Sequence, residues 1–421
     1  MKLGLPTPAD QGHAPSGSDP LRLGILGQGF VDWGGGLDFL RMVCACLRAT
    51  GQPMELHFLL PDRGPRAAAL GFALQVQAAL ARLRGRTTGR AYAPPGDLIR
   101  AALADSGGDL QLHRIDRGPA ALARAAHRLA LSAVLPTMTP LPARLGRPWV
   151  GYIYDFQHHH LPQLFSPQER QLRDRNFAHI LDEARVVIVT SHAVAADARR
   201  FRPSAGARIV VLPFSASQLP QGFTIDAPAV QRQHGLLKPY FIICNQFWQH
   251  KDHRTAFEAF ALLAANHPDV HLVCTGATAD PRNPGHLEGL LQQAEKRGVR
   301  DRIRVLGMVP KREQLSLLSG ALALVQPTLC EGGPGGLASN DAAALGVPML
   351  LSDIAVNREV DEPGVRFFRA GDAQELAQAM QQRLVAGPLT AVDPDEIWRR
   401  GQQRRAACGR ALLQAIELAR A

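Results

Sequence analysis

Two carboxylates that could bind hydroxyl groups stand on either side of a glycine-rich stretch. In PTLCEGGPGGLASNDAAALGVP (residues 327–348), nine residues separate Glu331 from Asp341, and four of the nine are glycine. The strand-like LALVQPT before it and the alanine-rich run after it predict a loop entering a helix, with Ser339, Asn340 or Asp341 as the cap. Exposed amides and glycines there favour phosphate binding. Together with the two acids they indicate a nucleotide-sugar site; a plain loop with a solvated glutamate and a capping aspartate is the alternative.

This stretch, extended through MLLSDIAVNREV, resembles the donor-site signature of glycosyltransferase family 4, the retaining enzymes of the GT-B fold. The matching residues are Glu331, Gly332, Ala342, Gly346, Pro348, Ser352, Asp353, Arg358 and Glu359. The likeness covers residues 235–390 and is weaker over residues 20–225.

The resemblance implies roles for the two acids and for the loop between them. Asp341 takes the place of the acid that holds the ribose hydroxyls, and Glu331 that of the acid that contacts the transferred sugar. The amides of Gly335 and Gly336 are expected at the donor diphosphate. The pattern departs from the family, because the acids are two residues farther apart than usual and the second is an aspartate.

A second group of candidates lies in ICNQFWQHKDH (residues 243–253), after the first strand of the C-terminal half. Lys251 is one of only five lysines in the chain, and a point charge where a loop enters a helix suits a diphosphate. The resemblance places Lys251 on a diphosphate-binding lysine and Gln246 on its arginine partner. Gln246 is neutral, so one positive charge is missing, and His250, His253 or a nearby arginine could supply it.

The glycine-rich DWGGGLDF (residues 32–39) follows a predicted strand and opens a helix. The resemblance places Gly35 and Gly36 near the donor phosphates. A dinucleotide fingerprint G-x-G-x-x-G is not met, because Asp32 stands where the third glycine belongs. The pattern therefore argues against a Rossmann oxidoreductase.

Three adjacent histidines follow another strand end, in YIYDFQHHHLPQLFS (residues 152–166). The family often carries a His-Asp pair here that faces the acceptor; this chain has a tyrosine before Asp155, and His158 or His160 could replace the histidine. A zinc site is not expected, because no acidic or cysteine partner lies at ligand spacing. The Asp-x-Asp at residues 393–395 is interpreted as a helix cap, so no metal or other cofactor is expected.

The elements that must position these residues form an alternating series. Short Val-, Ile- and Leu-rich runs, separated by helix-length segments, predict parallel sheets built from βαβ units. The first half has such runs at 54–61, 132–138, 148–155, 184–191 and 207–214. The predicted class is α/β and, by resemblance, GT-B: two doubly wound Rossmann-like domains across a cleft. The predicted segments are a flexible leader (1–20), an N-terminal acceptor-side domain (21–225), a nucleotide-sugar domain (226–393) and a C-terminal helix (394–421) that could cross back to the N-terminal domain.

Composition narrows the class of protein and its partners. The net charge is +10, but arginines are spread evenly and no basic patch is interleaved with aromatic residues, so nucleic acid is not expected. No apolar run approaches the roughly 20 residues that span a bilayer. The six cysteines form no CxxC pair, which favours a reducing, cytoplasmic setting. The basic surface also suggests peripheral contact with anionic lipid at the inner face of the membrane.

The predicted function is that of a metal-independent, retaining glycosyltransferase. It would move a hexose-type sugar from a nucleotide-diphosphate sugar to a glycan or lipid-linked acceptor, in surface polysaccharide synthesis. Two alternatives remain open at this stage: a GT-B-shaped sugar-nucleotide epimerase, and a basic binding or scaffold protein with a degenerate transferase domain.

Overall fold

The computed structural model describes residues 20–31, 34–61, 110–116, 118–219, 224–236, 239–386 and 394–421. Almost all of the predicted leader lies outside these ranges, as do Asp32 and Asp393. The described residues form a seven-stranded and a six-stranded sheet. The prediction of an α/β fold with two doubly wound domains is confirmed.

The first sheet is parallel throughout, in the order β3-β2-β1-β4-β5-β6-β7. Its strands are β1 (Leu21–Leu26), β2 (Met54–Pro61), β3 (Leu110–Ile115), β4 (Ala133–Thr137), β5 (Trp149–Tyr152), β6 (Val186–Val189) and β7 (Arg208–Val211). The helices that follow them are α1 (Gly34–Arg48), α2 (Pro119–Arg128), α3 (Gln157–His160), α4 (Pro167–Glu183) and α5 (His192–Phe201). Helices on both faces bury the apolar strands, and every residue of β6 has 0% exposure.

The second sheet is also parallel, in the order β10-β9-β8-β11-β12-β13. Its strands are β8 (Tyr240–Cys244), β9 (His271–Thr275), β10 (Ile303–Gly307), β11 (Leu324–Gln326), β12 (Met349–Ser352) and β13 (Val365–Phe368). Its helices are α6 (Ala227–Gln233), α7 (His253–Ala264), α8 (His286–Lys296), α9 (Lys311–Ser319), α10 (Gly336–Leu345) and α11 (Ala373–Val385). The strand order reverses between β8 and β11, and ligands of open α/β sheets bind outside the carboxyl ends of the strands at such a point.

The strands predicted from apolar runs lie within a few residues of the observed ones, but β3 was not predicted. Its sequence, LQLHRI, interrupts the apolar residues with glutamine, histidine and arginine, and only Ile115 is fully buried. The reason is its position at the edge of the sheet, where, among the residues that the structure describes, one side of the strand has no neighbouring strand.

The last helix, α12 (Pro394–Arg420), packs against the N-terminal domain. Cys408, Leu412 and Ile416 belong to the same buried cluster as strand β1 and helix α1. Gly409 allows the close approach, because a Cβ atom there would lie 2.0 Å from the backbone oxygen of Cys46. Across the described ranges, no helix is long and apolar enough to span a bilayer.

Candidate functional site

Lys251 is placed by the loop that leaves β8 at the point where the strand order reverses. Residues 249–251 form a short 3-10 turn, and Asp252 follows in the left-handed region (φ 47°). The Asp252 carboxylate caps α7 by accepting hydrogen bonds from the amide (3.3 Å) and the hydroxyl (2.6 Å) of Thr255. This local geometry holds Lys251 in the crevice, with 8% of its surface exposed.

Glu331 comes from the loop after β11, on the other side of the same crevice. Its Oε1 lies 2.5 Å from Nζ of Lys251, and each side chain is 10% exposed. The two loops are also joined through their backbones, because Leu329 donates to the carbonyl of His250 at 2.8 Å. The structure therefore brings together the two residues that the sequence analysis assigned to the diphosphate and to the transferred sugar.

The Glu331 loop also contacts the N-terminal domain directly. Thr190 and Ser191, at the end of β6, donate hydroxyl hydrogen bonds to the carbonyl of Gly332 at 2.9 and 3.0 Å. A Cβ atom on Gly332 would lie 1.7 Å from the carbonyl oxygen of Tyr154, so only glycine fits this approach. The position of Glu331 therefore depends on both domains.

Asp155 enters the site from the N-terminal domain, just beyond β5. Burial raises the pKa of its carboxyl group, and the nearby Glu331 carboxylate raises it further, against the hydrogen bond from Gln157 and the charges of Arg173 and Lys251. The Gln157 amide donates to Oδ1 at 3.0 Å. Asp155, Glu331 and Lys251 thus form one electrostatic unit across the cleft.

Helix α10 begins earlier than predicted. Its N-cap is Gly335, and both Gly335 and Gly336 have φ of 64°, so a turn of left-handed residues starts the helix where no side-chain cap was recognised. The amides assigned to the diphosphate are occupied: Gly335 donates to Oδ1 of Asn357 at 2.9 Å and Gly336 to the carbonyl of Gly333 at 3.0 Å. The first amides of a helix have no partner within the helix. In α10, the amides of Leu337 and Ala338 are therefore the ones that an anion could bind.

The prediction that Ser339, Asn340 or Asp341 caps α10 is wrong, because all three lie inside the helix. Asp341 is 3% exposed, and its Oδ2 lies 2.5 Å from Nζ of Lys311. That ammonium is 4.0 Å from Asp38 of α1 in the other domain. Burial opposes the charge on Lys311, but the two carboxylates outweigh it and raise its pKa.

The other candidates for donor contacts lie around these groups. Gly35 and Gly36 fall in the first turn of α1, the helix that carries Asp38 toward Lys311. Gln246 follows β8, beside Gly276 of the next loop, where a Cβ atom would lie 2.9 Å from the Gln246 nitrogen. All three therefore lie just beyond the carboxyl end of a strand, β1 for the two glycines and β8 for Gln246.

His158 does not join this cluster. It is 2% exposed, and its Nε2 lies 3.0 Å from Oδ1 of Asp174 on α4, which His159 also contacts at 2.7 Å. Burial lowers the pKa of His158 to about 4, so the ring is neutral. Asp174 is the acidic neighbour that the sequence spacing did not reveal, because it comes from the following helix. His160 instead pairs with Asp197 at 2.6 Å.

Neither of the other two histidines supplies the missing positive charge. Burial lowers the pKa of His250 to about 2, and the nearby charges of Lys251 and Arg282 act in the same direction. Burial also lowers the pKa of His253 to about 3, and its ring stacks on Phe247 at 4.0 Å. Both rings are therefore neutral at ordinary pH.

Residues 229–390, which contain this crevice, match the family model for glycosyl transferases group 1. The protein is thus a nucleotide-sugar glycosyltransferase, which confirms the predicted class of enzyme, and membership of family 4 is compatible with the match.

Solved structures of glycosyltransferases share the whole two-domain fold. The chain resembles Anabaena HepE in complex with UDP and glucose (TM-score 0.59, 14% identity, 94% of this chain and 96% of that one). It also resembles sucrose-phosphate synthase from Thermosynechococcus elongatus (TM-score 0.58, 17% identity, 95% and 96%). A third match is WaaG, a glycosyltransferase involved in lipopolysaccharide biosynthesis (TM-score 0.52, 14% identity, 92% and 94%). At these identities the likeness shows the GT-B fold.

Several residues that shape the site of this glycosyltransferase were given no role from the sequence. Asn245 follows β8 and Gln326 ends β11; the two side chains bond to each other, and Gln326 also donates to the Gly335 carbonyl at 2.6 Å. Glu359 accepts hydrogen bonds from the His192 and Ala193 amides, both at 2.8 Å, and so caps α5 across the domain interface. A polar residue directly after an apolar strand is the signal that could have identified the first two.

Proposed function

We propose that the protein transfers a hexose-type sugar from a nucleotide-diphosphate sugar to a glycan or lipid-linked acceptor, with retention of configuration and without a metal ion. The observation that carries this proposal is the buried Lys251–Glu331 pair (2.5 Å) at the reversal of strand order, with Asp155 facing it from the other domain. A cation for the leaving group and carboxylates for sugar hydroxyls are the groups that such a transfer requires.

The proposed reaction makes and breaks one bond at the anomeric carbon. The bond to the diphosphate oxygen breaks, the acceptor oxygen bonds to the same carbon, and the acceptor proton passes to the departing diphosphate. Negative charge therefore develops on the diphosphate, and fixed positive groups aimed there lower the barrier most. Lys251 is assigned this role, together with the first-turn amides of α10, while Glu331 holds the sugar.

Asp341 is proposed to accept the ribose hydroxyls, with its buried carboxylate held by the ion pair with Lys311. Asp155 is proposed to face the acceptor hydroxyl. Retention and the contact of Glu331 with the sugar rest on the resemblance to glycosyltransferase family 4. The reaction is proposed to need no metal, because Lys251 and the helix amides take the place of a divalent cation at the diphosphate.

The similar structures support the donor class. HepE was solved in complex with UDP-glucose, which favours a UDP-sugar as the first candidate. WaaG acts in lipopolysaccharide biosynthesis, which supports a surface glycan as the product. We further propose that the enzyme acts in the cytoplasm, with peripheral contact at the inner face of the membrane.

A nucleotide-sugar panel tests the proposal. Thermal shift is measured with UDP-, GDP-, ADP- and dTDP-sugars, followed by release of nucleoside diphosphate with and without EDTA. We expect one base to raise the melting temperature, and the shift to vanish in Lys251→Met but not in Lys296→Met, an exposed lysine on α8. If no donor shifts the melting temperature, the result would support a binding or scaffold protein. Interconversion of sugar nucleotides without an acceptor would support an epimerase. Loss of turnover with EDTA would contradict metal independence.

A further inference from the structure

Two arginines from different domains meet at the mouth of the cleft. Arg173 belongs to α4 of the N-terminal domain, and Arg282 belongs to the loop between β9 and α8 of the glycosyl transferases group 1 domain. Their guanidinium carbons lie 4.7 and 4.4 Å from the ring centre of Phe165. The aromatic ring thus holds two positive charges near each other, which would otherwise repel.

Neither guanidinium has a carboxylate partner at hydrogen-bond distance among the described residues. Nη1 of Arg173 is 3.7 Å from Oδ1 of Asp155, and this buried nitrogen makes no hydrogen bond. Arg282 forms no ion pair within the described ranges, and its guanidinium group lies over the ring of Phe165. A buried charged donor without an acceptor is unfavourable, and two like charges add to that penalty. The pair is therefore arranged for an anion that binds between the domains.

The loop that carries Arg282 is fixed to the loop that carries Lys251. The Asp280 carboxylate accepts hydrogen bonds from the amides of Gln249 (3.0 Å) and Arg282 (2.9 Å). The backbone adds a bond from Phe247 to the carbonyl of Ala277 at 2.8 Å. Arg282 is thus held on a loop that is bonded directly to the loop of Lys251.

Arg173 borders the same centre from the opposite side. It lies next to Asp155, and its charge, like that of Lys251, lowers the pKa of that carboxyl group against the larger effect of burial. The charge of Arg173 also reaches His250, one residue before Lys251. The two arginines therefore flank the Lys251–Glu331 pair from both domains.

We propose that Arg173 and Arg282 form a phosphate-binding subsite that compensates for the neutral Gln246. The proposal rests on the proposed function for the reaction that uses the phosphate. The planar guanidinium group presents paired N–H donors that match phosphate oxygens. The phosphate belongs either to the donor diphosphate or to a phosphorylated acceptor, and because one arginine comes from each domain, it would be held fully only when the domains are closed.

The test uses the full chain and isothermal titration calorimetry with four kinds of probe. These are a nucleoside diphosphate of the base found by the donor panel, the corresponding nucleoside, glucose 6-phosphate with glucose as its control, and inorganic phosphate. The variants are Arg173→Gln and Arg282→Gln. Arg175→Gln, an exposed arginine on the same helix, is the matched control, and Arg173→Lys retains the charge if the glutamine variant fails to fold.

Each glutamine variant is expected to weaken binding of a phosphate-bearing probe by about 10-fold, as loss of a hydrogen bond to a charged group does. The nucleoside, glucose and the Arg175→Gln variant should be unaffected. A loss for the nucleoside diphosphate assigns the subsite to the donor, whereas a loss confined to glucose 6-phosphate assigns it to the acceptor.

Affinities for all phosphate-bearing probes within about twofold of wild type in both variants would overturn the proposal. If wild-type protein binds no nucleoside diphosphate, the proposed function fails separately. In that case inorganic phosphate and glucose 6-phosphate test the subsite by themselves. Weaker binding of these two probes by the variants supports the subsite, and unchanged binding contradicts it.

Discussion

Replacing Lys251 with methionine should destabilise the protein more than replacing Glu331 with glutamine. Lys251 is the cation shared by Glu331, at 2.5 Å, and by Asp155, whose pKa it lowers against burial. Its loss leaves the Glu331 carboxylate (10% exposed) and the Asp155 carboxylate (21% exposed) without the cation that they share. Loss of the Glu331 charge leaves Lys251 with Asp155 as a counterion. The two single variants are therefore not equivalent, although they break the same ion pair.

The magnitudes follow from the burial of the pair. Removing one partner of a buried ion pair costs about 3–5 kcal/mol, and Lys251→Met should lie in this range because both side chains are only 10% exposed. Glu331→Gln should cost about 1–3 kcal/mol, as for a weakened buried hydrogen bond. Because unfolding entropy is about 2.1 cal/mol/K per residue, a chain of 421 residues shifts by about 1 °C per kcal/mol, and the two melting temperatures should differ by about 2 °C. The double variant should be more stable than the sum of the single effects predicts.

Thermal unfolding of wild type, the two single variants and the double variant forms the cycle that measures this coupling. Lys296→Met, on an exposed face of α8, controls for the loss of any lysine. Equal melting temperatures for Lys251→Met and Glu331→Gln, or additive effects in the double variant, would refute the shared-cation reasoning. The same four proteins, tested for nucleoside diphosphate binding, should show the largest loss in Lys251→Met.

Three further outcomes are expected. Burial raises the pKa of Asp155 above its ordinary value of 3.8. Turnover that needs its carboxylate should therefore fall as the pH is lowered toward this raised pKa. The pH–rate profile of Asp155→Asn should lack this acidic decrease. Gly332→Ala places a methyl group 1.7 Å from a carbonyl oxygen of the other domain. Small-angle scattering should therefore report a more open molecule, and turnover should fall. Gly206→Ala, which has open space around the added methyl group, should change neither. Glu359→Gln weakens the cap on α5 and should lower the melting temperature by about 1 °C, the effect of roughly 1 kcal/mol on a chain of 421 residues. An unchanged melting curve would contradict its role in joining the domains.

The sheets were predictable because buried parallel strands are continuous apolar runs. FIIC in β8 and VVIV in β6 can lie nowhere but in the interior. The edge strand β3 mixes polar and apolar residues, so its pattern carries no comparable signal. The start of α10 was not predicted for a different reason. Two consecutive glycines in the left-handed region begin the helix without any side-chain cap, whereas Ser339, Asn340 and Asp341 have the side chains typical of a cap.

The polar partners in the site could be predicted only where both members lay in a recognisable motif. Lys251 and Glu331 were each selected, although their contact spans 80 residues. Lys311 was not selected, because nothing near it in the sequence indicates Asp341, 30 residues away. Arg173 was missed for the same reason, since its significance depends on Asp155, Phe165 and a loop of the other domain. These pairs form because the fold brings distant segments together, and no single segment of the sequence indicates its partner.

The contacts between the domains explain why the carboxylate of Glu331 need not be held by its own domain alone. Its neighbour Gly332 is fixed by two hydroxyl groups of the N-terminal domain at 2.9 and 3.0 Å. If the domains separate, this loop loses those bonds, and Lys251 and Glu331 gain access to water, which weakens their attraction as the surrounding dielectric rises. Closure therefore brings the charged groups together and excludes water in one step. The donor sugar would contact all of these groups only in the closed state, in which hydrolysis by water is least favoured.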